Sequence, residues 1–384
     1  MHSPLSILVL AAAAFLFGAF FFWTASSRLK KWFSWLRLYL RDDLPLVNLE
    51  RYQYAHAGYL RPLPGQGCEF EHKSFISSTR GTRLRVYSTS ALGPMPAAVE
   101  KRTFVSRTRL KRPRGVLIFL PSLGHGAARC ALVAQRFAEA GFSTYCLDLP
   151  TFGESEFCPG GSHSQPCRGE ISDWRTLVSD VLFFAESLQH KYRGLPLFIG
   201  GHSLGGTVSL MCCLFKPESF KGLVLLSPLL TPLRFRRSRW CLKILASIVP
   251  RMRLERLAPC DMLSRNLAVE EHLENDSLFF KDRYSAGTIY QLEQMCAFSR
   301  KSLDLLTVPF HIQHGLRDLI AAPEGSRIMY HSTPRVSAPC KTLMWYHYCW
   351  HHLLLEPEAD EILQMSIDFV EDRVRVLSIA QTLD

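Results

Sequence analysis

One stretch near the middle of the chain constrains the fold more than any other. Residues 197–200 are apolar, and Gly201-His202-Ser203-Leu204-Gly205 follows directly. An apolar run that ends in a G-x-S-x-G sequence is typical of a strand that turns sharply into a helix and holds a serine on the turn. Glycines two positions before and after Ser203 leave the space that such a crowded turn requires. Mostly apolar residues continue through 207–214, as expected for the helix that follows.

Strand and helix patterns alternate from Gly115 onward, which is typical of a parallel sheet flanked by helices. The predicted strands are 116–120, 142–149, 197–200, 222–227, 308–314 and 342–345, and the predicted helices are 127–140, 174–189 and 357–374. Residues 70–87 alternate around Arg80-Gly81, which predicts two antiparallel strands before the parallel ones. We therefore predict an α/β fold with a mostly parallel sheet.

The strand patterns stop between residues 228 and 301. This segment is largely helical in pattern, and its apolar residues are interleaved with Arg234, Arg236, Arg237, Arg239, Lys243, Arg251, Arg253 and Arg256. Such a pattern predicts an amphipathic insertion, which we interpret as a helical cap or lid over residues 229–301. The core of the fold then has two parts, 65–228 and 302–384.

Candidate partners for Ser203 follow two of the later strands. Asp318 lies just after the strand that ends at His314, and the histidines of His347-Tyr348-Cys349-Trp350-His351-His352 come after the strand that ends at Trp345. A serine, an acid and a histidine in this chain order, each after its own strand, are typical of the catalytic triad of α/β-hydrolases. The order supports a nucleophilic role for Ser203.

Several sequence blocks together resemble the monoacylglycerol lipase and lysophospholipase branch of the α/β-hydrolases. The blocks are Gly201-His202-Ser203-Leu204-Gly205-Gly206, Asp148-Leu149-Pro150-Thr151-Phe152-Gly153-Glu154-Ser155, Met262-Leu263-Ser264-Arg265-Asn266, His314-Gly315-Leu316-Arg317-Asp318 with Pro323-Glu324, and His351-His352-Leu353-Leu354-Leu355-Glu356-Pro357-Glu358. The resemblance implies an α/β-hydrolase fold. It also implies that Ser203, Asp318 and His351 form the catalytic triad, which leaves His347 and His352 as packing residues.

Of two departures from this family, at Asp148-Leu149-Pro150-Thr151 and in the loop after the third strand, we interpret the first as structural, and the second bears on the site. The family usually has His-Gly-x-Gly after the third strand, whereas this chain has Pro121-Ser122-Leu123-Gly124. Matched position by position, the resemblance implies that the backbone N–H groups of Leu123 and Leu204 form the oxyanion hole. Pro121 lacks an N–H group, but it does not occupy the donor position. No cofactor is expected, and a metal site built from His347, His351 and His352 is a poor alternative, because no carboxylate accompanies them at helical spacing.

The N-terminus predicts a membrane anchor. Residues 5–23 form an uncharged apolar run that would be roughly 28 Å long as a helix, about the thickness of the hydrocarbon core of a bilayer. A cleaved signal peptide, ending near residues 25–27, is the alternative. Basic residues cluster on the C-terminal side of this run, namely Arg28, Lys30, Lys31, Arg37 and Arg41. We therefore predict a transmembrane anchor over 1–27, an amphipathic interfacial helix and linker over 28–64, and a single-pass membrane protein with its catalytic domain in the cytosol.

Charge limits the classes of binding partner, and the cysteine content indicates the state of the thiols. The net charge of +11 favours an anionic partner, and no zinc-finger spacing or RNA-binding motif supports nucleic acid. An anionic lipid surface in contact with the basic cap is the partner that remains. The twelve cysteines show no disulfide framework, so we expect mostly buried free thiols.

These features predict a serine hydrolase that cleaves the ester of a single-acyl-chain lipid, a monoacylglycerol or a lysophospholipid. The triad alone leaves other serine chemistry open, including an esterase, a thioesterase, a peptidase or an acyltransferase on the same fold. A non-catalytic binding module is the alternative from another class, and only the Pro121-Ser122 departure supports it.

Overall fold

The computed structural model describes residues 71–76, 83–91, 112–156, 168–232 and 239–383. The strands are β1 Glu71–Ile76, β2 Arg83–Thr89, β3 Gly115–Leu120, β4 Phe142–Leu147, β5 Leu197–His202, β6 Leu223–Leu226, β7 Arg253–Glu255, β8 Tyr284–Ser285, β9 Phe310–Gly315 and β10 Lys341–Tyr346. Eight of them form one sheet in the order β1-β2-β4-β3-β5-β6-β9-β10. Strand β2 pairs antiparallel with both β1 and β4. The six strands from β4 to β10 in this order are parallel, as the sequence predicts.

Helices cover both faces of this sheet. They are α1 Ala131–Glu139, α2 Trp174–Lys191, α3 Leu204–Phe215, α4 Arg239–Ile248, α5 Leu267–Asn275, α6 Ala286–Lys301, α7 Pro323–His331 and α8 Ala359–Leu383. Short 3₁₀ turns lie at Ala127–Cys130, Pro217–Ser219, Cys260–Met262, Leu303–Leu305, Ala338–Cys340 and Leu353–Leu355. Together these elements form the α/β-hydrolase fold.

Strand β3 shows why the strands are almost continuously apolar. Every residue of β3 is buried, because helices cover the sheet on both sides. Leu117 and Phe119 pack with α1 and α8 on one face. Val116, Ile118 and Leu120 pack with α2, α3 and α6 on the other. Neither face of β3 meets solvent, and this is why its sequence is a continuous apolar run.

The sheet order places the loops that follow β3 and β5 side by side. Strand β3 pairs with β4 on one side and with β5 on the other, so the chain changes direction across the sheet at this point. In open parallel sheets, ligands bind in the crevice that such a change leaves beyond the carboxyl ends of the strands. Ser203 follows β5 and Leu123 follows β3, so both lie at this crevice.

The described part of the segment between β6 and β9 is mostly helical and also contains two strands that the sequence did not reveal. We call its described residues 239–301 the cap segment. Strands β7 and β8 pair antiparallel, with Arg253 opposite Ser285 and Glu255 opposite Tyr284. Two or three residues are too few to show an alternating pattern, so the sequence does not distinguish them from the surrounding loop.

The helices of the structure contradict the predicted membrane localisation. Within the described ranges, no helix combines the length and the apolar character needed to cross a bilayer. The longest, α8, has 25 residues, but it includes charged residues along its length, such as Asp360, Asp368 and Arg373. This finding contradicts the expected single-pass membrane protein with a cytosolic catalytic domain. The predicted span at 5–23 and the predicted interfacial helix at 28–64 lie outside the described residues.

The turn between β5 and α3 passes the end of β3 at backbone contact distance. A Cβ atom on Gly205 would come against the backbone carbonyl oxygens of Leu120 and Pro121 at the end of β3. A Cβ atom on Gly201 would in turn come against the backbone of Gly205. Only glycine at both positions lets the turn pass this close to β3.

We expect Gly205→Ala to lower the free energy of unfolding by about 3 kcal/mol or more, because the added methyl group meets rigid backbone rather than a movable side chain. Gly194→Ala is the control, since the Gly194 Cβ would meet nothing within 4 Å, although Gly194, unlike Gly205, has a positive φ of 77°. That variant should lose only about 1–2 kcal/mol, the cost of the left-handed conformation. Urea denaturation of both variants measures the difference, and equal losses would contradict the crossing.

Candidate active site

Ser203 occupies a strained backbone position between β5 and α3. Its φ of 54° and ψ of −115° lie where residues other than glycine are uncommon. The surrounding backbone holds it there: the Ser203 amide donates to the Leu226 carbonyl at 2.9 Å, and the Ser203 carbonyl accepts from the amides of Thr207 and Leu229, each at 3.1 Å. The strain turns the side chain away from the strand and toward the loops that follow β9 and β10.

The structure brings Ser203, His351 and Asp318 into one hydrogen-bonded line. The Nε2 atom of His351 lies 2.8 Å from Ser203 Oγ, and its Nδ1 atom lies 2.7 Å from Asp318 Oδ2. All three residues are buried. A carboxylate only accepts, so Nδ1–H of His351 donates to Asp318, and Nε2 is left to accept the Ser203 hydroxyl proton. This is the arrangement that a general base needs.

Asp318 is held by four hydrogen-bond donors. Its Oδ1 atom accepts from the amides of Ile320 at 2.8 Å and Ala321 at 2.9 Å. Its Oδ2 atom accepts from His351 and also from Nε2 of His314 at 3.0 Å. Burial acts to raise the pKa of Asp318, but the charge of His351 and the hydrogen bonds from His314 and His351 outweigh it and hold this pKa well below its usual range. Asp318 is therefore ionised.

Three further histidines form a group of rings beside His351. The Nε2–H group of His202 donates to the backbone carbonyl of His351 at 2.9 Å. The His202 and His352 rings lie 4.2 Å apart between centroids, and the His352 and His125 rings lie 5.1 Å apart. Burial, together with the charge of His351, lowers the pKa of His202 to about 3. Burial likewise lowers the pKa values of His125 and His352 well below their usual range, so this group of rings is neutral.

The residues expected to form the oxyanion hole lie on either side of the serine. Leu204 is the first residue of α3, directly after Ser203, and Leu123 is buried in the loop after β3. Leu123 and Ser203 line the same small cavity. The backbone groups of both leucines are thus near the nucleophile, and their role as oxyanion donors stays a prediction.

The cavity beside Ser203 is apolar and almost closed. Its volume is about 10 Å³, enough for a single water molecule. Its lining residues come from both the core and the cap segment: Leu123, Ser203, Leu229, Pro232, Leu257, Ala258 and Ile320. A larger cavity of about 730 Å³ lies within the cap segment, but most of its lining residues are charged and none is Ser203, Asp318 or His351. The smaller cavity is therefore the one that adjoins a nucleophile.

The structure also reveals histidine contacts that the sequence did not predict. His352, expected to be a packing residue, is buried against His202, whereas His347 is exposed. His314 and His202 contact the acid and the base directly. Both were visible in the sequence, His314 four residues before Asp318 and His202 directly before Ser203, but neither position reveals where the side chain points.

Residues 111–358 match the Hydrolase_4 family, described as "Serine aminopeptidase, S33". The match spans well over half of the chain. The chain belongs to this family. It is a serine ester hydrolase of the monoacylglycerol lipase type of α/β-hydrolase, as the sequence blocks indicate.

Relatives within the family include two mammalian enzymes. The monoglyceride lipase of Homo sapiens is 30% identical over 260 residues, which cover 66% of this chain and 81% of the relative. The monoglyceride lipase of Mus musculus is 28% identical over 274 residues, which cover 69% of this chain and 86% of the relative.

Among solved structures, a soluble variant of the monoglyceride lipase of Saccharomyces cerevisiae, in complex with a substrate analogue, has a similar fold. The TM-score is 0.63 at 19% sequence identity, and the match covers 82% of this chain and 97% of that one. At this identity the similarity supports the fold alone.

The neutral histidine group in this hydrolase predicts sensitivity to acid. The rings of His125, His202 and His352 are unprotonated when folded but gain protons near pH 6.5 when unfolded. Because the unfolded chain binds more protons, the stability that these rings contribute is full above about pH 6.5 and is lost as the pH falls toward 3. Denaturant unfolding between pH 7 and 4 should show this decline.

His352→Phe keeps a ring of similar shape and removes one of the titrating groups. The free energy of unfolding of this variant should fall less steeply as the pH decreases. The slope should be smaller by up to about 1.4 kcal/mol per pH unit, the value that corresponds to one bound proton. If the variant and the wild-type chain lose stability in parallel, the histidine group is not the origin of the acid sensitivity.

Proposed function

We propose that Ser203, His351 and Asp318 are a catalytic triad that hydrolyses the ester of a single-acyl-chain lipid through an acyl-enzyme. The observation that carries the proposal is the line of hydrogen bonds from Ser203 Oγ through His351 to Asp318, at 2.8 and 2.7 Å. Ser203 sits at the end of this line on a strained turn, which supports its role as the nucleophile.

In the first half of the reaction, Ser203 Oγ attacks the ester carbonyl carbon while Nε2 of His351 takes its proton. The backbone N–H groups of Leu123 and Leu204 stabilise the oxyanion, and each such donor contributes roughly 3–4 kcal/mol in serine hydrolases. The tetrahedral intermediate then collapses, the bond to the alcohol breaks, and His351 returns its proton to the departing alcohol. The acyl group remains on Ser203.

In the second half, water attacks the acyl-enzyme while His351 again accepts a proton. The fatty acid leaves, and the proton returns to Ser203. Asp318 stays ionised throughout and stabilises the imidazolium that forms twice in the cycle. The low pKa of Asp318 supports this role.

The substrate class is argued from the walls of the site and from the relatives. Leu229, Leu257 and Ile320 give the cavity an apolar lining that suits an acyl chain. The relatives from Homo sapiens and Mus musculus are named monoglyceride lipases. A monoacylglycerol or a lysophospholipid has one acyl chain to place in such a site, and we propose a lipid of this class as the substrate.

The closed cavity requires the cap segment to move. A volume of about 10 Å³ does not hold an acyl chain, and Leu257 and Ala258 of the cap segment form part of its wall. We therefore propose that residues 229–301 act as the cap that the sequence predicts, and that displacement of residues 257–258 opens the site.

The outer side of the cap segment suits a lipid surface. Trp240 and Ile248 of α4 are 71% and 73% exposed, which is unusual for side chains of this size. Lys243 and Arg251 are exposed in the same segment. A helix with exposed apolar residues beside cations matches an interface that carries anionic lipid, so we propose that α4 contacts the lipid particle or bilayer that presents the substrate.

Ser203→Ala should lower hydrolysis of a monoacylglycerol by about 10⁶-fold, as removal of the nucleophile does in serine proteases. It should also abolish covalent labelling by a fluorophosphonate, which reacts with an activated serine. A wild-type chain that binds monoacylglycerol without hydrolysing it or taking the label would establish the binding module instead. Formation of the acyl ester of a supplied alcohol acceptor, in place of free fatty acid, would establish an acyltransferase.

Hydrolysis of monoacylglycerol in vesicles should rise with the fraction of anionic lipid and fall with added salt, because salt screens the cations of the cap segment. The double variant Trp240→Ser/Ile248→Ser should reduce the rate on vesicles by about tenfold while leaving the rate on a short soluble ester unchanged. Ile379→Ser, which changes an exposed apolar residue of α8, is the control. Equal rates on neutral and anionic vesicles would rule out the lipid contact of α4.

A further inference from the structure

The loop that carries His351 is held at four consecutive residues. The backbone carbonyl of Cys349, the amide of Trp350, the carbonyl of His351 and the amide of His352 each make a hydrogen bond of 2.7–3.1 Å. We call residues 349–352 the base loop. In the same order, the four partners are the Arg317 amide, the Glu356 carboxylate, the His202 ring and the Leu263 carbonyl. The partners come from the loop after β9 that carries Asp318, which we call the acid loop, from the turn after the base loop, from the turn at residues 202–204 that carries Ser203, which we call the serine turn, and from the cap segment.

The second of these partners is a buried carboxylate. The side chain of Glu356 has no solvent exposure, and its Oε1 atom accepts from the Trp350 amide at 3.1 Å. Trp350 directly precedes His351, so this bond fixes the backbone on the N-terminal side of the base. Burial raises the pKa of Glu356, so the carboxylate needs a cation beside it to stay ionised.

That cation comes from the cap segment. Nε of Arg265 donates to Oε2 of Glu356 at 2.6 Å, and the Arg265 amide donates to Oε1 at 3.3 Å. The other side of the guanidinium group binds Glu358. Arg265 thus orients the carboxylate that in turn orients the Trp350 amide.

Neighbours of Arg265 reinforce the same contact. The Leu263 carbonyl accepts from the His352 amide at 2.7 Å, and Ser264 Oγ donates to the Leu355 carbonyl at 3.0 Å. Residues 263–265 therefore run along the base loop and the turn that follows it. They do so at three successive positions, which aligns the two segments in a single register.

We propose that Arg265 is a positioning residue for the base, acting through Glu356 and the Trp350 amide to hold His351 at hydrogen-bonding distance from Ser203. The cap segment then contributes to proton transfer as well as covering the site. This inference rests on the proposed function, because it assumes that His351 is the general base. Proton transfer depends steeply on geometry, and a displacement of about 1 Å can lower a rate about 10²-fold.

The test compares four variants by their kcat and KM on a short soluble ester, p-nitrophenyl butyrate. Arg265→Met should lower kcat by about 10²-fold and change KM less than about threefold, because the base moves but the cavity does not. Glu356→Gln should lower kcat similarly. In Gln an NH2 group replaces one carboxylate oxygen, so the side chain presents a donor either to the Trp350 amide or to the Arg265 guanidinium.

The double variant Arg265→Met/Glu356→Gln should recover part of the lost kcat. With Arg265 absent, the Gln oxygen is free to accept from the Trp350 amide, and no buried charge lacks a partner. Asp276→Asn is the matched control, since Asp276 pairs with Arg129 at 3.0 Å and also joins the cap segment to the core, but at the turn Ala127–Cys130. It should keep kcat within about twofold of wild type, as expected for a site with no shared partner.

Titration of the active sites with a fluorophosphonate corrects each kcat for misfolded protein, and Arg265→Lys provides a milder variant if Arg265→Met does not fold. Lysine keeps the charge but not the two-sided contact, so its kcat should lie between those of wild type and Arg265→Met. The inference is overturned if an active wild-type chain and its Arg265 variants share one kcat, if Asp276→Asn loses as much as Arg265→Met, or if the double variant is no better than Arg265→Met. A wild-type chain that neither hydrolyses the ester nor takes the label at Ser203 overturns the proposed function, and the inference with it.

Discussion

The site depends on two places where backbone passes backbone at contact distance. At the first, Gly201 and Gly205 let the serine turn lie against the end of β3. At the second, a Cβ atom on Gly315 would come against the carbonyls of Cys349 and Trp350, so only glycine lets the base loop lie on the acid loop. The left-handed backbone of Ser203 costs about 1–2 kcal/mol, which the hydrogen bonds around it offset. Both crossings place reactive side chains from different strands within hydrogen-bonding distance.

The electrostatics of the buried site follow from this packing. Asp318 receives four hydrogen bonds, which stabilise one negative charge away from water. The neighbouring rings of His125, His202 and His352 are neutral, so they do not repel an imidazolium that forms on His351. A site with a fixed anion at the base and neutral rings around it favours the charge separation that general-base catalysis requires.

Much of this fold could be predicted from the sequence because parallel strands are buried on both faces and read as apolar runs. The positions of Ser203 and Asp318 followed from the same runs, since residues just after parallel strands meet at one edge of the sheet. Strands β7 and β8 were too short to detect, and the expected membrane localisation was wrong. The contact between His202 and the His351 carbonyl joins residues 149 positions apart, and a local pattern carries no information on such a distance.

The same limit applies to the cap segment, where two recognisable sequence blocks proved to be one structural unit. Arg265 and Glu356 lie 91 residues apart in sequence, yet they form a partly buried ion pair beside the base loop. A small cluster of buried residues packs the surrounding part of the cap segment: Cys260, Leu263, Val269, Leu273, Phe279 and Ile320. Leu257 and Ala258, which close the cavity, lie just before this cluster and are followed by Pro259, which has an extended backbone. The displacement of residues 257–258 proposed above keeps His351 in place only if the motion ends near Pro259, because residues 263–265 are bound to the base loop and the turn that follows it.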